Sequence, residues 1–150
     1  MKKNLVLTVG NGMMGDDGAG ALLAQMMRQS PLEEWEVLNG GASPENLLHR
    51  VRELSPQRVL VVDAADMDLS PGSVRSIPLE RLDDPFLFTT HTLPLTFLIE
   101  SLREFIPQVH LLGIQPEVVA FGYPMSTSVK DAVAQIYHEL KNGQGDWESL

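Results

Sequence analysis

Short continuous runs of apolar residues alternate along the chain with longer segments in which apolar residues recur at helical spacing. The runs are Leu5–Val9, Trp35–Leu38, Arg58–Asp63 and Val109–Ile114. Runs of this length with little polar alternation are typical of parallel strands that are buried on both faces. A further segment, Ser73–Ile77, follows a Ser-Pro-Gly turn and predicts an edge strand.

Helical spacing is found between these runs. It predicts helices over Ala21–Arg28, Ser43–Leu54, Leu93–Phe105 and Ser126–Leu140. Strands and helices that alternate in this way form βαβ units. We therefore predict one α/β domain over residues 1–150, a three-layer α/β/α sandwich around a twisted, mainly parallel sheet of about five strands.

Two segments fit neither pattern. Residues 78–91 are expected to be irregular because no regular spacing of apolar residues runs through them. Residues 142–150 are acidic and rich in glycine, and they are expected to form a mobile tail.

Composition and charge narrow the class of protein. Hydrophobic residues make up 43% of the 150 residues, enough for a sizeable core, and the formal net charge is −9. That charge would repel phosphates, so no nucleic-acid partner is expected. The absence of cysteine excludes disulfides, thiolate catalysis and cysteine-based metal centres. No apolar run is long enough for a signal-peptide core or a membrane span, which predicts a soluble, cytoplasmic protein with a monomer as its simplest state.

Three features with chemical potential fall at predicted strand or helix ends. Asp16-Asp17 follows the first strand, Asp63 ends the third, and His91 precedes the third helix. Sites in open α/β sheets form beyond the carboxyl ends of the strands, so these side chains are expected at one edge. Two carboxylates and an imidazole suit a divalent transition metal. Each residue also has an ordinary role at a helix start, in a turn or on an exposed loop, and the residues alone leave both interpretations open.

Other motifs give weaker signals. Gly10-Asn11-Gly12 looks like part of a phosphate-binding loop, but the two carboxylates that follow Gly15 would repel a pyrophosphate. The chain has no P-loop Lys-Ser/Thr pair and no G-x-S-x-G elbow, so a serine hydrolase is not expected. His110 and His138 lack partners at metal-ligand spacing and are interpreted as structural.

Five motifs carry a family resemblance: residues 9–20 (VGNGMMGDDGAG), 39–46 (NGGASPEN), 61–67 (VVDAADM), 89–91 (TTH) and 112–117 (LGIQPE). In this order and at these separations they look like the maturation proteases of nickel–iron hydrogenases. The resemblance is strongest to the branch of that family that processes the hydrogenase 3 large subunit. It extends over the chain to about residue 141.

The resemblance implies an endopeptidase of the aspartyl type with an α/β/α fold. Such a protein removes the C-terminal extension of a hydrogenase large-subunit precursor after nickel insertion. The nickel is implied to belong to the substrate, although other divalent ions can occupy the site. The metal-binding triad of the family falls on Asp17, Asp63 and His91, and many relatives have Glu at the first of these positions.

This resemblance leads to a hypothesis for the mechanism. We expect the triad to bind the nickel of the precursor and so to position the scissile segment, with Asp16 as the first candidate for a general base. Asn39-Gly40-Gly41, at another strand end, is expected to contact the substrate backbone. Two alternatives remain: a self-contained metallohydrolase of a small substrate, and a non-enzymatic nickel-handling chaperone.

Overall fold

The computed structural model describes residues 3–84, 87, 89 and 91–150, and these contain five strands and four α-helices. The strands are β1 (Asn4–Thr8), β2 (Trp35–Asn39), β3 (Arg58–Ala64), β4 (Val74–Ile77) and β5 (Gln108–Ile114). The helices are α1 (Ala19–Gln29), α2 (Leu48–Leu54), α3 (Thr92–Arg103) and α4 (Thr127–Lys141). None of the helices described is long and apolar enough to cross a membrane.

The five strands form one sheet in the order β2-β1-β3-β5-β4. The pairs β2–β1, β1–β3 and β3–β5 are parallel, and only β4 runs antiparallel to its neighbour β5. The carboxyl ends of β1, β3 and β5 therefore lie at the same edge of the sheet. The predicted α/β class with a mainly parallel five-stranded sheet is confirmed.

Both faces of the sheet are covered, which explains why the strands are apolar without alternation. Leu5, Leu7 and Val61 point to the face covered by α2 and α3. Val6 and Val62, one position along in each strand, point to the face covered by α1 and α4. Successive side chains of a strand alternate between faces, so each strand contributes to two separate cores.

Two parts of the chain differ from the predicted elements. The predicted helix from Ser43 is divided, because a single 3-10 turn at Pro44–Leu47 precedes α2. The segment 78–91, predicted to be irregular, contains a 3-10 turn at Leu79–Asp83 in which Leu82 is buried. One buried side chain in a five-residue turn leaves no helical spacing that sequence analysis could detect.

The C-terminal segment lies along β4 and does not extend freely from the domain. The Ser76 N–H donates to the Glu148 carbonyl at 2.9 Å, and the Leu150 N–H donates to the Ser76 carbonyl at 2.9 Å. Trp147 and Leu150 pack against the two cores. This docked position differs from the mobile tail that the composition predicted, because burial of two apolar side chains stabilises it.

Candidate active site

Three predicted site residues meet at the carboxyl edge of the sheet. Asp63 is the penultimate residue of β3, Asp17 lies in the 3-10 turn Gly15–Gly18 after β1, and His91 directly precedes α3. All three are buried, and one ligand atom from each lies within 4.8 Å of the others. The structure therefore brings together side chains that are 46 and 28 positions apart in the sequence.

The glycine turn after β1 determines where Asp17 lies. Gly10 has a φ of +130°, and a Cβ atom at that position would lie 2.1 Å from the carbonyl oxygen of Asp17. Only glycine adopts this conformation without strain and permits the approach. The Asn11 N–H then donates to Asp17 Oδ2 at 2.8 Å, which fixes the carboxylate toward the cluster.

A chain of hydrogen bonds links the three residues. His91 Nε2 lies 3.1 Å from Asp17 Oδ2. The His91 N–H donates to Thr89 Oγ1 at 3.2 Å, and the Thr89 hydroxyl donates to Asp63 Oδ2 at 2.5 Å. Thr89 therefore accepts from the His91 main chain and donates to the Asp63 carboxylate with the same hydroxyl group. The neighbouring Thr90 of the predicted motif lies outside the described residues.

One carboxylate oxygen of the cluster is left without a hydrogen-bond partner. Asp63 Oδ1 is buried and has no such partner among the residues that the structure describes. An unpaired buried acceptor is costly, and in a native structure it calls for an explanation. A cation bound between the three side chains would supply the missing interaction.

The electrostatics of the cluster also favour a cation. Burial raises the pKa of Asp63 to about 7, against the opposing effects of the Thr89 hydrogen bond and the His91 charge, while the Asp17 charge adds to the rise. The hydrogen bond to Asp17 raises the pKa of His91, although burial acts in the opposite direction. A divalent ion bound here would neutralise the negative charge of the two buried carboxylates.

Asp16, the predicted general base, points away from this cluster. Its carboxylate accepts hydrogen bonds from the N–H groups of Glu117, Val118 and Ser126, and from the Ser126 hydroxyl, at 2.7–3.0 Å. Burial alone would raise the pKa of Asp16, but these hydrogen bonds outweigh it and lower the pKa below the ordinary value. A carboxylate that is saturated by donors and readily ionised is a weak base, so Asp16 is assigned to holding the loop after β5 and the prediction is corrected.

Gln115 is a second residue that ties loops together at this edge, and sequence reasoning missed it. Its Oε1 accepts from the Met67 N–H at 2.7 Å and the Leu69 N–H at 3.3 Å, and its Nε2 donates to Asp66 Oδ1 at 3.0 Å. The loops after β3 and β5 are thereby joined. The signal available in the sequence was a polar residue directly after a buried strand. For Thr89, the corresponding signal was its position two residues before His91.

A cleft of about 360 Å³ opens beside the cluster. Asp17, Thr89, Glu117 and Val119 are among the residues that line it. A cavity of about 400 Å³ lies at the opposite end of the sheet, next to Asn4 and other residues at the amino ends of the strands. The cleft of about 360 Å³ is the candidate active site although it is not the larger of the two, because Asp17 of the buried ligand cluster lines it. Among the described residues, no member of that cluster lines the cavity at the opposite end.

The remaining candidates lie near or away from the cluster. Asn39-Gly40-Gly41 is joined to the glycine turn, since the Gly10 N–H donates to the Gly41 carbonyl at 2.8 Å; its contact with a substrate stays a prediction. His138 is exposed on α4, and His110 lies on β5, where it lines a separate small pocket together with Arg58 and Asp146. Neither histidine belongs to the metal-ligand cluster.

The chain is similar in sequence and in fold to known proteins. The HycI hydrogenase maturation protease family matches residues 21–142. The hydrogenase 3 maturation protease of Escherichia coli K12 is 48% identical over 143 residues, which are 95% of this chain and 92% of that protein. A putative hydrogenase maturation protease of Methanocaldococcus jannaschii is 31% identical over 93% of this chain and 91% of its own. The solution structure of the Escherichia coli endopeptidase HycI superposes with a TM-score of 0.91 at 46% identity, covering 100% of this chain and 97% of that one.

Proposed function

Because this chain belongs to the hydrogenase maturation proteases, we propose that Asp17, Asp63 and His91 bind the nickel ion carried by a hydrogenase large-subunit precursor. The protein is an endopeptidase that processes such a precursor, as the sequence predicted. Nickel in this proposal is part of the substrate. Its binding would place the scissile segment of the precursor in the cleft next to the triad.

The buried, unpartnered Oδ1 of Asp63 is the observation on which the proposal rests most directly. Asp63 Oδ1 has no hydrogen-bond partner among the described residues, while Asp63 Oδ2 is held by Thr89. One carboxylate oxygen is thus oriented and the other left available. With Asp17 and His91 it completes a set of two oxygen donors and one nitrogen donor, which suits a divalent ion of the nickel type.

Three protein ligands are also the right number for an ion that stays attached to another molecule. They leave coordination positions open for the ligands of the precursor. A precursor without nickel lacks this anchor, so its scissile segment would spend less time in the cleft. The triad would in this way make processing depend on nickel insertion.

The proposal is tested by the mass of the substrate. Purified protein is incubated with nickel-loaded and with nickel-free large-subunit precursor of Escherichia coli hydrogenase 3, and the C-terminus is followed by mass spectrometry. We expect only the loaded form to be shortened. Equal cutting of both forms would overturn nickel recognition, and hydrolysis of small amides by protein with tightly bound zinc would favour the self-contained metallohydrolase.

Substitution tests the triad itself. We expect His91→Ala and Asp63→Ala each to lower the rate of processing by at least about 100-fold, since the loss of residues that merely orient metal ligands costs roughly 10–100-fold. His138→Ala is the matched control, because His138 is exposed on α4 and lies outside the cluster. Full activity of the His91→Ala protein would remove the triad from the mechanism.

Binding of the precursor without any shortening by the wild type would favour the chaperone alternative, which conflicts with membership of a protease family.

The proposal carries two further predictions about the protein as a whole. We expect a monomer in solution and a cytoplasmic location. Light scattering tests the first of these expectations, and cell fractionation tests the second.

A further inference from the structure

Exposed apolar side chains are concentrated beside the candidate active site. Among the described residues, five large hydrophobic side chains are exposed, and four of them lie on the loops after β1 and β5. Met13 is 62% exposed, Val119 37%, Phe121 70% and Tyr123 59%. Single exposed apolar residues are ordinary on a protein surface, whereas several on adjoining loops indicate a contact surface. We name these four residues the apolar rim.

Main-chain hydrogen bonds join the two loops into one surface. The Gly122 N–H donates to the Met13 carbonyl at 2.9 Å, and the Asp16 N–H donates to the Val118 carbonyl at 2.8 Å. The Asp16 carboxylate adds its bonds to the N–H groups of Glu117 and Val118. The apolar rim is therefore held in position by the same carboxylate that lies next to Asp17 in the sequence.

The apolar rim is continuous with the cleft. Val119 belongs to the rim and also lines the cleft together with Asp17 and Thr89. Residues 9–15 and 118–129, which contain the rim, have no Asp, Glu, Lys or Arg, whereas the cleft beside them is lined in part by Asp17, Asp66 and Glu117. A partner that reaches the triad from this side would therefore meet an apolar rim outside an acidic cleft.

We propose that the apolar rim docks an apolar surface of the large-subunit precursor beside the scissile segment. This inference rests on the proposed function, which places the precursor in the cleft. Nickel would provide one point of attachment, and the rim would provide binding that does not depend on the metal. Such binding contributes equally before and during the reaction, so its loss is expected to raise KM while leaving kcat nearly unchanged.

The test compares exposed aromatic residues inside and outside the rim. The variants Phe121→Ser, Tyr123→Ser and the double variant Met13→Ser/Phe121→Ser are assayed for processing of nickel-loaded hydrogenase 3 precursor from Escherichia coli. We expect KM to rise about tenfold in the double variant with kcat within about twofold of the wild type. Phe97→Ser is the matched control, because Phe97 is 55% exposed on α3 and lies outside the rim.

A binding measurement separates this inference from the proposed function. The Kd of the nickel-free precursor is measured by calorimetry for the same variants, since without nickel only the protein surface can contribute. We expect weaker binding by the double variant and unchanged binding by the Phe97→Ser protein. Unchanged KM and Kd in the rim variants, or an equal loss in the Phe97→Ser protein, would overturn the docking surface. Failure of nickel recognition would instead appear in the wild type, as equal cutting of both precursor forms.

Discussion

Two adjacent carboxylates in one turn serve different purposes. Asp16 and Asp17 lie in the 3-10 turn Gly15–Gly18, where successive side chains project about 120° apart. Asp17 consequently faces His91, and Asp16 faces the main chain of the loop after β5. The sequence shows two equivalent acids, and the direction of each side chain decides that only one of them belongs to the ligand cluster.

At the residue scale, Thr89 is expected to control the activity through Asp63. We predict that Thr89→Val lowers processing roughly 10–100-fold, because the valine cannot donate to Asp63 Oδ2 and the carboxylate loses its orientation. Thr89→Ser retains the hydroxyl and should keep most of the activity. Nickel affinity, measured by calorimetry with the substrate-free protein, should fall in the same order. Wild-type activity in the Thr89→Val protein would contradict this positioning role.

His110 provides a prediction for stability against pH, away from the active site. Burial, followed by the charge of Arg58, lowers the pKa of His110 below 6.5, with Asp146 acting in the opposite direction. As pH falls, the unfolded chain therefore takes up this proton before the folded one does. The contribution of neutral His110 to stability is complete above about pH 6.5 and is lost as pH falls from there toward the lower pKa of the folded state.

The measurement is the free energy of unfolding in urea. Between pH 7 and pH 5 we expect the wild type to lose more stability than a His110→Gln variant, which cannot take up the proton. His49→Gln is the control, because His49 is exposed on α2. The prediction fails if the difference between wild type and His110→Gln stays constant over this range.

At the scale of elements, the packing of α1 on β1 depends on a glycine. A Cβ atom at Gly20 would lie 2.8 Å from the Val9 carbonyl oxygen and 2.9 Å from the Thr8 Cβ. The close approach brings the start of α1, and the acidic turn that precedes it, onto the end of β1. Local sequence thus determines the helix, while the glycine determines how near it lies to the sheet.

We predict that Gly20→Ala destabilises the protein. Alanine is favoured over glycine by up to about 1 kcal/mol in a helix interior, and Gly20 lies in the first turn of α1, where we expect less of that gain. The contact with a strand backbone is expected to cost about 1–3 kcal/mol and so to outweigh it. Urea unfolding measures the difference. Gly12→Ala is the control, since the nearest atom to a Cβ there is the Ala21 Cβ at 3.7 Å. Increased stability of the Gly20→Ala protein would show that α1 can move away without loss.

At the scale of the whole molecule, the C-terminus completes the sheet. Ser149 forms a parallel bridge with Ser76, so the tail occupies part of the edge of β4 that would otherwise expose unpaired main-chain groups. Trp147 and Leu150 cover apolar surface on either side of this edge. The tail lies away from the triad, because β5 separates β4 from β3 in the sheet.

Removal of residues 145–150 is predicted to weaken the fold while sparing the chemistry. We expect a loss of about 2–4 kcal/mol in unfolding free energy, comparable to truncation of one large buried side chain, together with concentration-dependent aggregation from the exposed edge. The rate of processing at low temperature should stay within a few-fold of the wild type. Glu148→Gln is the control, because the Glu148 side chain is 76% exposed and its ion pair with Arg75 is long, at 3.7 Å, so the pair contributes little. A truncated protein of unchanged stability would mean that the tail does not need to dock.

The sequence by itself determined the class and order of the elements. Apolar runs and helical spacing are local signals. Because both faces of the sheet are buried, each of the four parallel strands is a continuous apolar run that can be recognised without knowing its neighbours. The position of Asp17, Asp63 and His91 at one edge also followed from the sequence, because the carboxyl ends of parallel strands lie together. Their assignment as a triad came from the family resemblance.

Only the tertiary structure decided what depends on side-chain direction and on contacts between distant residues. Asp16 holds a loop more than 100 residues away, Gln115 joins two loops, and the tail returns to the sheet edge. Each of these contacts is made by a single polar group or by two apolar side chains. So few residues produce no periodic pattern in the sequence that could predict the contact. The apolar rim belongs to the same class, because Met13 is 106 or more residues from the other three rim residues and joins them in one surface only when the main chain around Asp16 binds the loop after β5.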